Sequence, residues 1–309
     1  MIKNNTINNI IKTDRNIRKV NKNRLKPFDY INYLIIGLFA VLCIFPVIYV
    51  VLTSFSSKAD FLNASLMVFP HNFNIEAYKL IFFQGRVGGA FFNSLVVTIV
   101  GTLYSLVLTS LGAYAFTKKD VPGLKVIFTF IILTMFFGGG LIPFYLTVKD
   151  LIGVNNYLCL IIPFGINTFN MIVLRNFFSQ VPDSIVESCK LDGASEFRIL
   201  LQFIVPLSKA GLATVALFYI VAKWDDWYWP SIFLTRNTDL YPLALELRNV
   251  LSNAQSEGYG NGGPIDTSLL FAEGQNAAMI VVSIFPIMCI YPFLQKYFVK
   301  GVMIGSIKS

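Results

Sequence analysis

The chain has 309 residues, 55% hydrophobic and only 14% charged, with a mean hydropathy of +0.63. A soluble globular domain, in which about a quarter of the residues carry charge, is excluded, and the length suits one membrane domain of roughly five to seven helical spans. The net charge of +8 does not indicate nucleic acid, because eight of the 25 basic residues precede the first apolar run, where a basic cluster acts as a topology signal.

Residues 1–32 are rich in Asn and Lys and read as a cytoplasmic arm. Residues 33–52 carry no charge and are long enough for a first span. This run is too long, and follows too much polar sequence, to be a signal core. The outer loop 53–90 contains a break at Pro70 and His71, with 75–83 expected as a short surface helix. Span two is expected over 91–116, ending at Lys118 and Lys119.

Span three, 126–148, is interrupted at Gly138, Gly139, Gly140 and Pro143, so either a neighbouring helix packs closely there or the backbone opens toward a cavity. Asn155 and Asn156 mark a tight outer turn. Span four, 157–174, carries Asn167 and Asn170 three apart, on one helical face. They serve either helix-to-helix hydrogen bonding or a polar lining for a solute path.

Residues 181–207 form a polar island between apolar runs and read as two short helices with a hinge. Asp183 or Ser184 is expected to cap the first, and Gly193 to break it. Ser195 is expected to start the second, with Ile199, Leu200, Phe203 and Ile204 on one stripe and Pro206 as its stop.

After the island, 210–222 is too short to cross before Lys223, so span five must run on through Trp224, Asp225, Asp226, Trp227, Tyr228, Trp229 and Pro230 to residue 234. Ionisable groups at that depth avoid lipid and face protein or water. The aromatic cluster reads equally as an interfacial belt or as a surface for sugar C–H faces, with Asp225 and Asp226 accepting from hydroxyls. The outer loop 235–273 should hold a helix over 243–251 and a flexible stretch over 252–264. Span six is expected over 274–295, with a cytoplasmic tail at 299–309.

With the N-terminus inside, this six-span arrangement places 18 of the 25 basic residues in the cytoplasm. Cys43, Cys159, Cys189 and Cys289 lack metal-ligand spacing and His71 is the only histidine, so no disulfide, metal site or histidine-based catalytic centre is expected. There is no phosphate-binding loop either. The tail from Gly301 has its glycines four rather than five apart, so ATP hydrolysis would have to reside in another subunit. A secondary transporter would need coupling-ion carboxylates near mid-membrane and usually an internal repeat, and a membrane enzyme would need a catalytic constellation; neither is evident.

The island carries a specific resemblance. Glu187, Asp192, Gly193, Ala194, Val205 and Pro206 stand at the spacing of the EAA loop of ABC importer permeases, with Ser188 and Cys189 in place of the two alanines and Phe203 and Val205 at the two aliphatic positions. Beyond it, NSLVVT from Asn93, GAYAF from Gly112, the pair Trp224 and Pro230, and the ending KYFVKGVMIGSIK are similar to the MalG-like carbohydrate permeases of type I importers, and GGGLIP from Gly138 together with that ending resembles the LplC-type subgroup.

The resemblance implies an all-α permease fold of six transmembrane helices and location in a bacterial plasma membrane with both termini cytoplasmic. It implies a heterodimer with a MalF-like permease, two ATPase subunits that use ATP and Mg, and an extracytoplasmic solute-binding protein, with no cofactor on this chain. It implies an oligosaccharide substrate, acidic in some of the subgroup, with a non-sugar solute or secondary transport as the alternatives. Glu187, Ser188, Cys189, Asp192, Gly193, Ala194 and Pro206 would then form the coupling site, and Asn167, Asn170, Trp224, Asp225, Asp226 and Trp227 the solute path.

Overall fold

The computed structural model describes residues 27–57, 73–83, 86–118, 120–257 and 272–306. Residues 1–26 of the basic arm, the break at Pro70 and His71, and residues 258–264 of the expected flexible stretch lie outside the described residues, while 27–32 already belong to the first helix. All regular structure among the described residues is helical.

The chain divides into two units, Met1–Tyr49 and Val50–Ser309, and helix α1 (Pro27–Ser54) runs through their boundary. Its residues are apolar all round, the pattern of a lipid-facing span rather than of an amphipathic surface helix.

In the larger unit, α2 (Glu76–Phe83) lies where the short surface helix was expected. Helix α3 (Val87–Ala115) buries Ser94, Thr98, Gly101, Ser105, Thr109 and Ala113 along one stripe. Small side chains at this spacing let neighbouring helices approach closely, and α3 packs most extensively on α11 (Lys209–Trp224) and α7 (Thr168–Phe178). Helix α14 (Ala272–Ser306) packs on α2, α11 and α13 (Leu243–Glu257). It is longer than the expected span and carries Pro286 and Pro292 inside.

Three expected spans are broken helices. Span three is α4 (Leu124–Leu133) and α5 (Leu141–Leu151), separated where the glycines fall. A Cβ on Gly138 or Gly139 would meet nothing within 4 Å, so no described helix packs on them and the backbone opens there between α4 and α5. Span four is α6 (Leu158–Ile161) followed, after a break, by α7. Span five is α11 and α12 (Tyr228–Phe233), with Asp225 to Trp227 between them. Among the described residues three helices are therefore long and apolar enough to cross a membrane, or four when residues 196–224, bent by 86°, are taken as one.

The outer turn forms as expected. Asn155 adopts φ 62°, a region that Asn tolerates better than most residues. Its Oδ1 accepts from the backbone N–H groups of Arg236 (2.7 Å) and Asn237 (3.3 Å), tying the turn to the chain beyond α12.

Asn93 and Ser94 do similar work on α3. Asn93 Nδ2 donates to the carbonyls of Asp239 and Tyr241, and its Oδ1 accepts from Tyr157. Ser94 Oγ accepts from Leu243 N–H. Residues 252–257 correct the expected loop: they continue α13, because the stretch before Gly258 contains neither Gly nor Pro to stop the helix.

Candidate functional site

The island folds as α8 (Asp183–Leu191), α9 (Glu196–Ile199), a π-helical turn over Leu200–Ile204, and α10 (Val205–Leu207). The N-cap of α8 is Pro182 rather than Asp183 or Ser184; Asp183 is the first helical residue, where its charge favours the positive end of the helix.

Gly193 then adopts φ +76°. Its N–H donates to Lys190 O, and Ala194 N–H donates to Cys189 O, both at 3.0 Å. This paired closure satisfies the last carbonyls of a helix and requires the left-handed conformation that glycine takes without strain. Ser195 caps α9 as expected, accepting from Arg198 N–H at 3.4 Å.

Pro206 does not stop the helix. The π turn absorbs the missing donor and ring of the proline, the helix continues to Leu207, and the chain bends only at Ser208. Because the π turn shifts the register, Ile199, Leu200 and Ile204 are buried while Phe203 is exposed.

The island is seated on the helical bundle rather than hung between spans. Cys189, Ile199, Leu200 and Ile204 share one buried cluster with Ala113 of α3, Leu174 and Phe178 of α7 and Val215 of α11. Glu187, Ser188, Asp192 and Gly193 face outward with Leu191, which is 90% exposed, and Phe197, 61% exposed. Leu191 and Phe197 are large apolar side chains that the described residues leave uncovered.

A polar latch that the sequence reading missed crosses this seat. Glu196 Oε2 accepts from Lys118 Nζ and from Tyr114 Oη, both at 2.6 Å, and Glu196 Oε1 lies 3.0 Å from Lys190 Nζ. Burial alone would raise the Glu196 pKa, but hydrogen bonds from Lys118, Tyr114 and Lys190 outweigh it and hold it at about 2. The latch ties the end of α3 to both island helices. Tyr114 was visible in GAYAF, but its partner lies 82 residues on and carries no periodic signal.

The expected solute-path residues fall into two cavities. One, of 400 Å³, is lined by Asn167, Asn170, Asp225 and Asp226 together with Lys223 and Trp229. Asn167 is not on a helical face with Asn170: it is the N-cap of α7, and its Oδ1 accepts from Asn170 N–H at 3.1 Å. Tyr219 Oη accepts from Asn167 N–H at 3.0 Å and shares a hydrogen bond with Thr109 Oγ1 at 2.7 Å, joining α3, α7 and α11 at the cavity wall. Asp226 Oδ1 accepts from the N–H groups of Tyr228 and Trp229 and caps α12.

Lys223, read from the sequence only as an interruption, is 9% exposed. It has room because α3 carries Gly101 opposite; a Cβ there would lie 2.9 Å from Lys223 Cδ. The second cavity, of 440 Å³, is lined by Trp224, Asp225, Trp227 and Arg248. There the Arg248 guanidinium lies 3.4 Å from the Trp227 ring centre. Trp224 is 4% exposed, packs edge-on against Phe91, and donates Nε1–H to Ser283 O.

Residues 121–304, which contain the whole island, match the family described as "Binding-protein-dependent transport system inner membrane component". The chain belongs to this family of ABC importer permeases. Among its relatives, Protein LplC of Bacillus subtilis (strain 168) is 37% identical over 91% of this chain and 95% of its own length. The polygalacturonan/rhamnogalacturonan transport system permease protein YtcP of the same organism is 35% identical over 93% of this chain and 100% of its own. A crystal structure of a bacterial ABC transporter involved in the import of the acidic polysaccharide alginate contains a chain that superposes with a TM-score of 0.80 at 30% identity, covering 88% of this permease and 96% of that chain. The coarser expectation, a helical importer-permease fold, is therefore shown.

Proposed function

We propose that this chain is one of two membrane-spanning subunits of an ATP-driven importer that receives oligosaccharides, acidic ones among them, from an extracytoplasmic binding protein. The observation that carries the reading is the seating of the island: a surface with exposed Glu187, Leu191 and Phe197 shares its buried side with the ends of α3, α7 and α11. Force applied to this surface reaches the helices that line the 400 Å³ cavity.

In this reading α1, α3, α4 with α5, α6 with α7, α11 with α12, and α14 make six crossings, the permease domain covering 33–298 between the cytoplasmic arm 1–32 and tail 299–309. Both termini and the island 176–209 are cytoplasmic in a bacterial plasma membrane. The 18-to-7 distribution of basic residues supports that orientation. A MalF-like partner permease completes the path, and two ATPase subunits hold the ATP and Mg while this chain holds no cofactor.

The sugar reading is supported by the names of the relatives and by the cavity, where an amide, a carboxylate and an ammonium converge beside Trp229. Lys223 is the group suited to a uronate carboxylate. In proteoliposomes carrying the complete importer, Lys223→Met should lower uptake of a labelled oligogalacturonide by about tenfold, the worth of one charge-assisted bond, and uptake of a neutral oligosaccharide much less. Asn170→Leu should lower both. Unchanged uptake in both variants would remove this cavity from the path.

A further inference from the structure

A third cavity, of 380 Å³, lies among the ends of α3, α4 and α7 and is lined by Lys118, Lys125, Arg175, Asn176, Ser179 and Gln180. It has no part in the solute path or in the island's outward surface. Arg175 is held in place there: its Nε donates to Phe116 O at 2.7 Å, and its guanidinium rests on the Phe128 ring at 4.8 Å. These two contacts leave the terminal nitrogens of the fork without a partner among the described residues. Lys125 likewise has none among them, whereas Lys118 is committed to Glu196 and Tyr114. A fixed guanidinium and an uncommitted ammonium, with the Asn176 and Gln180 amides on the same lining, are the donor set for a phosphate group; the Ser179 hydroxyl is already donated to Arg175 O.

Beside this polar end runs α4, ten residues with no charge after Lys125 and none of them buried, in which Val126 is 58% and Phe130 64% exposed. A free phosphate would use the cations and leave this apolar wall bare. A phospholipid would use both, its headgroup on Arg175 and Lys125 and an acyl chain along α4. We propose that this cavity is a binding site for an anionic phospholipid on the cytoplasmic leaflet. The site adjoins the latch through Lys118, so the bound headgroup would bias how firmly Glu196 is held. The inference rests on the orientation proposed above, which puts this end of the bundle at the cytoplasmic surface.

The test uses the complete importer purified in a neutral detergent and titrated by calorimetry with short-chain phosphatidylglycerol, short-chain phosphatidylcholine and inorganic phosphate. The wild type should bind phosphatidylglycerol at least about tenfold more tightly than phosphatidylcholine, and Lys125→Gln should weaken it by about tenfold, one charge-assisted contact. Arg175→Gln should weaken it further, but Lys125→Gln is the decisive variant because its side chain supports nothing else. Equal binding of the two lipids, or wild-type affinity in Lys125→Gln, would overturn the site. Saturation by inorganic phosphate at the same concentration would overturn the lipid assignment. Normal ATP-driven uptake by the same protein after reconstitution into proteoliposomes, with any of these negative results, would count against this inference while leaving the proposed function standing.

Discussion

Glu196→Ala should reduce solute-stimulated ATP hydrolysis of the assembled importer by about tenfold while the ATPase subunits remain bound. The two effects separate because the proposed docking face and the latch are different parts of the island. Glu187, Leu191 and Phe197 face outward, and the Schellman closure at Gly193 that shapes this face does not involve Glu196. What Glu196 does is hold α9 and Lys190 of α8 to Lys118 and Tyr114 at the end of α3. Half-exposed ion pairs are screened, so the latch contributes about 1–2 kcal/mol, enough to change a two-state ratio by about tenfold.

The folded pKa of Glu196, about 2, lies below its ordinary value of 4.5, so the latch is complete above about pH 5 and is lost as pH falls toward 2. Coupling should not vary between pH 5 and 8 through this group. The measurement is bound ATPase by quantitative gel and hydrolysis with and without loaded binding protein. The exchange of Lys118→Glu with Glu196→Lys should restore part of the stimulation, which a merely misfolded Glu196→Ala would not allow. Full stimulation in Glu196→Ala would make the latch dispensable.

The largest loss of stability should follow Gly211→Val. A Cβ at this position would lie 2.4 Å from Phe177 Cγ and 2.6 Å from Phe177 Cβ. Rotation of Phe177 about its Cα–Cβ bond relieves contact with Cγ and Cδ2 but not with Cβ, which belongs to the stem, so α11 and α7 must separate. Overpacking of this kind costs about 1–3 kcal/mol even where only a methyl group is added, and Val adds two more carbons. The crossing lies just after the 86° bend at Ser208, whose Oγ contacts Phe177 O at 3.5 Å, so separation there also disturbs the direction in which the island leaves the bundle. Thermal unfolding of the purified permease pair should show a melting temperature several degrees lower, partly recovered by Phe177→Ala. An unchanged melting temperature would mean that the crossing is looser than described.

Much of this architecture could be read from local chemistry. Gly193 and Ser195 fixed the hinge because a helix end needs a left-handed residue and the next helix start needs an acceptor, both demands that act within four residues. Asn155 was readable for the same reason. The readings that changed depended on where a side chain turned. Asn167 and Asn170 had helical spacing, but Asn167 spends its oxygen on the backbone of α7, and Asp226 spends one oxygen on α12. Pro206 looked like a stop, and the π turn before it removes the need for one.

Lys223 and Glu196 were out of reach for another reason. The first depends on the absence of a side chain at Gly101 on another helix, and the second on cations and a phenol contributed by two other segments, the end of α3 and α8. No spacing rule within one segment reports either arrangement.

The central claim is that the motor's motion enters through the face of the island that carries Glu187 and Gly193. The direct test is to purify the importer with Glu187→Ala or Gly193→Val, and to count bound ATPase subunits and solute-stimulated hydrolysis. Glu187→Ala should weaken attachment by about tenfold, one charge-assisted bond at a partly covered surface. Gly193→Val should leave the chain inserted but uncouple hydrolysis from solute, because a β-branched residue resists the φ of +76° that sets the angle between α8 and α9. Normal stoichiometry and normal stimulation in both variants would contradict the account.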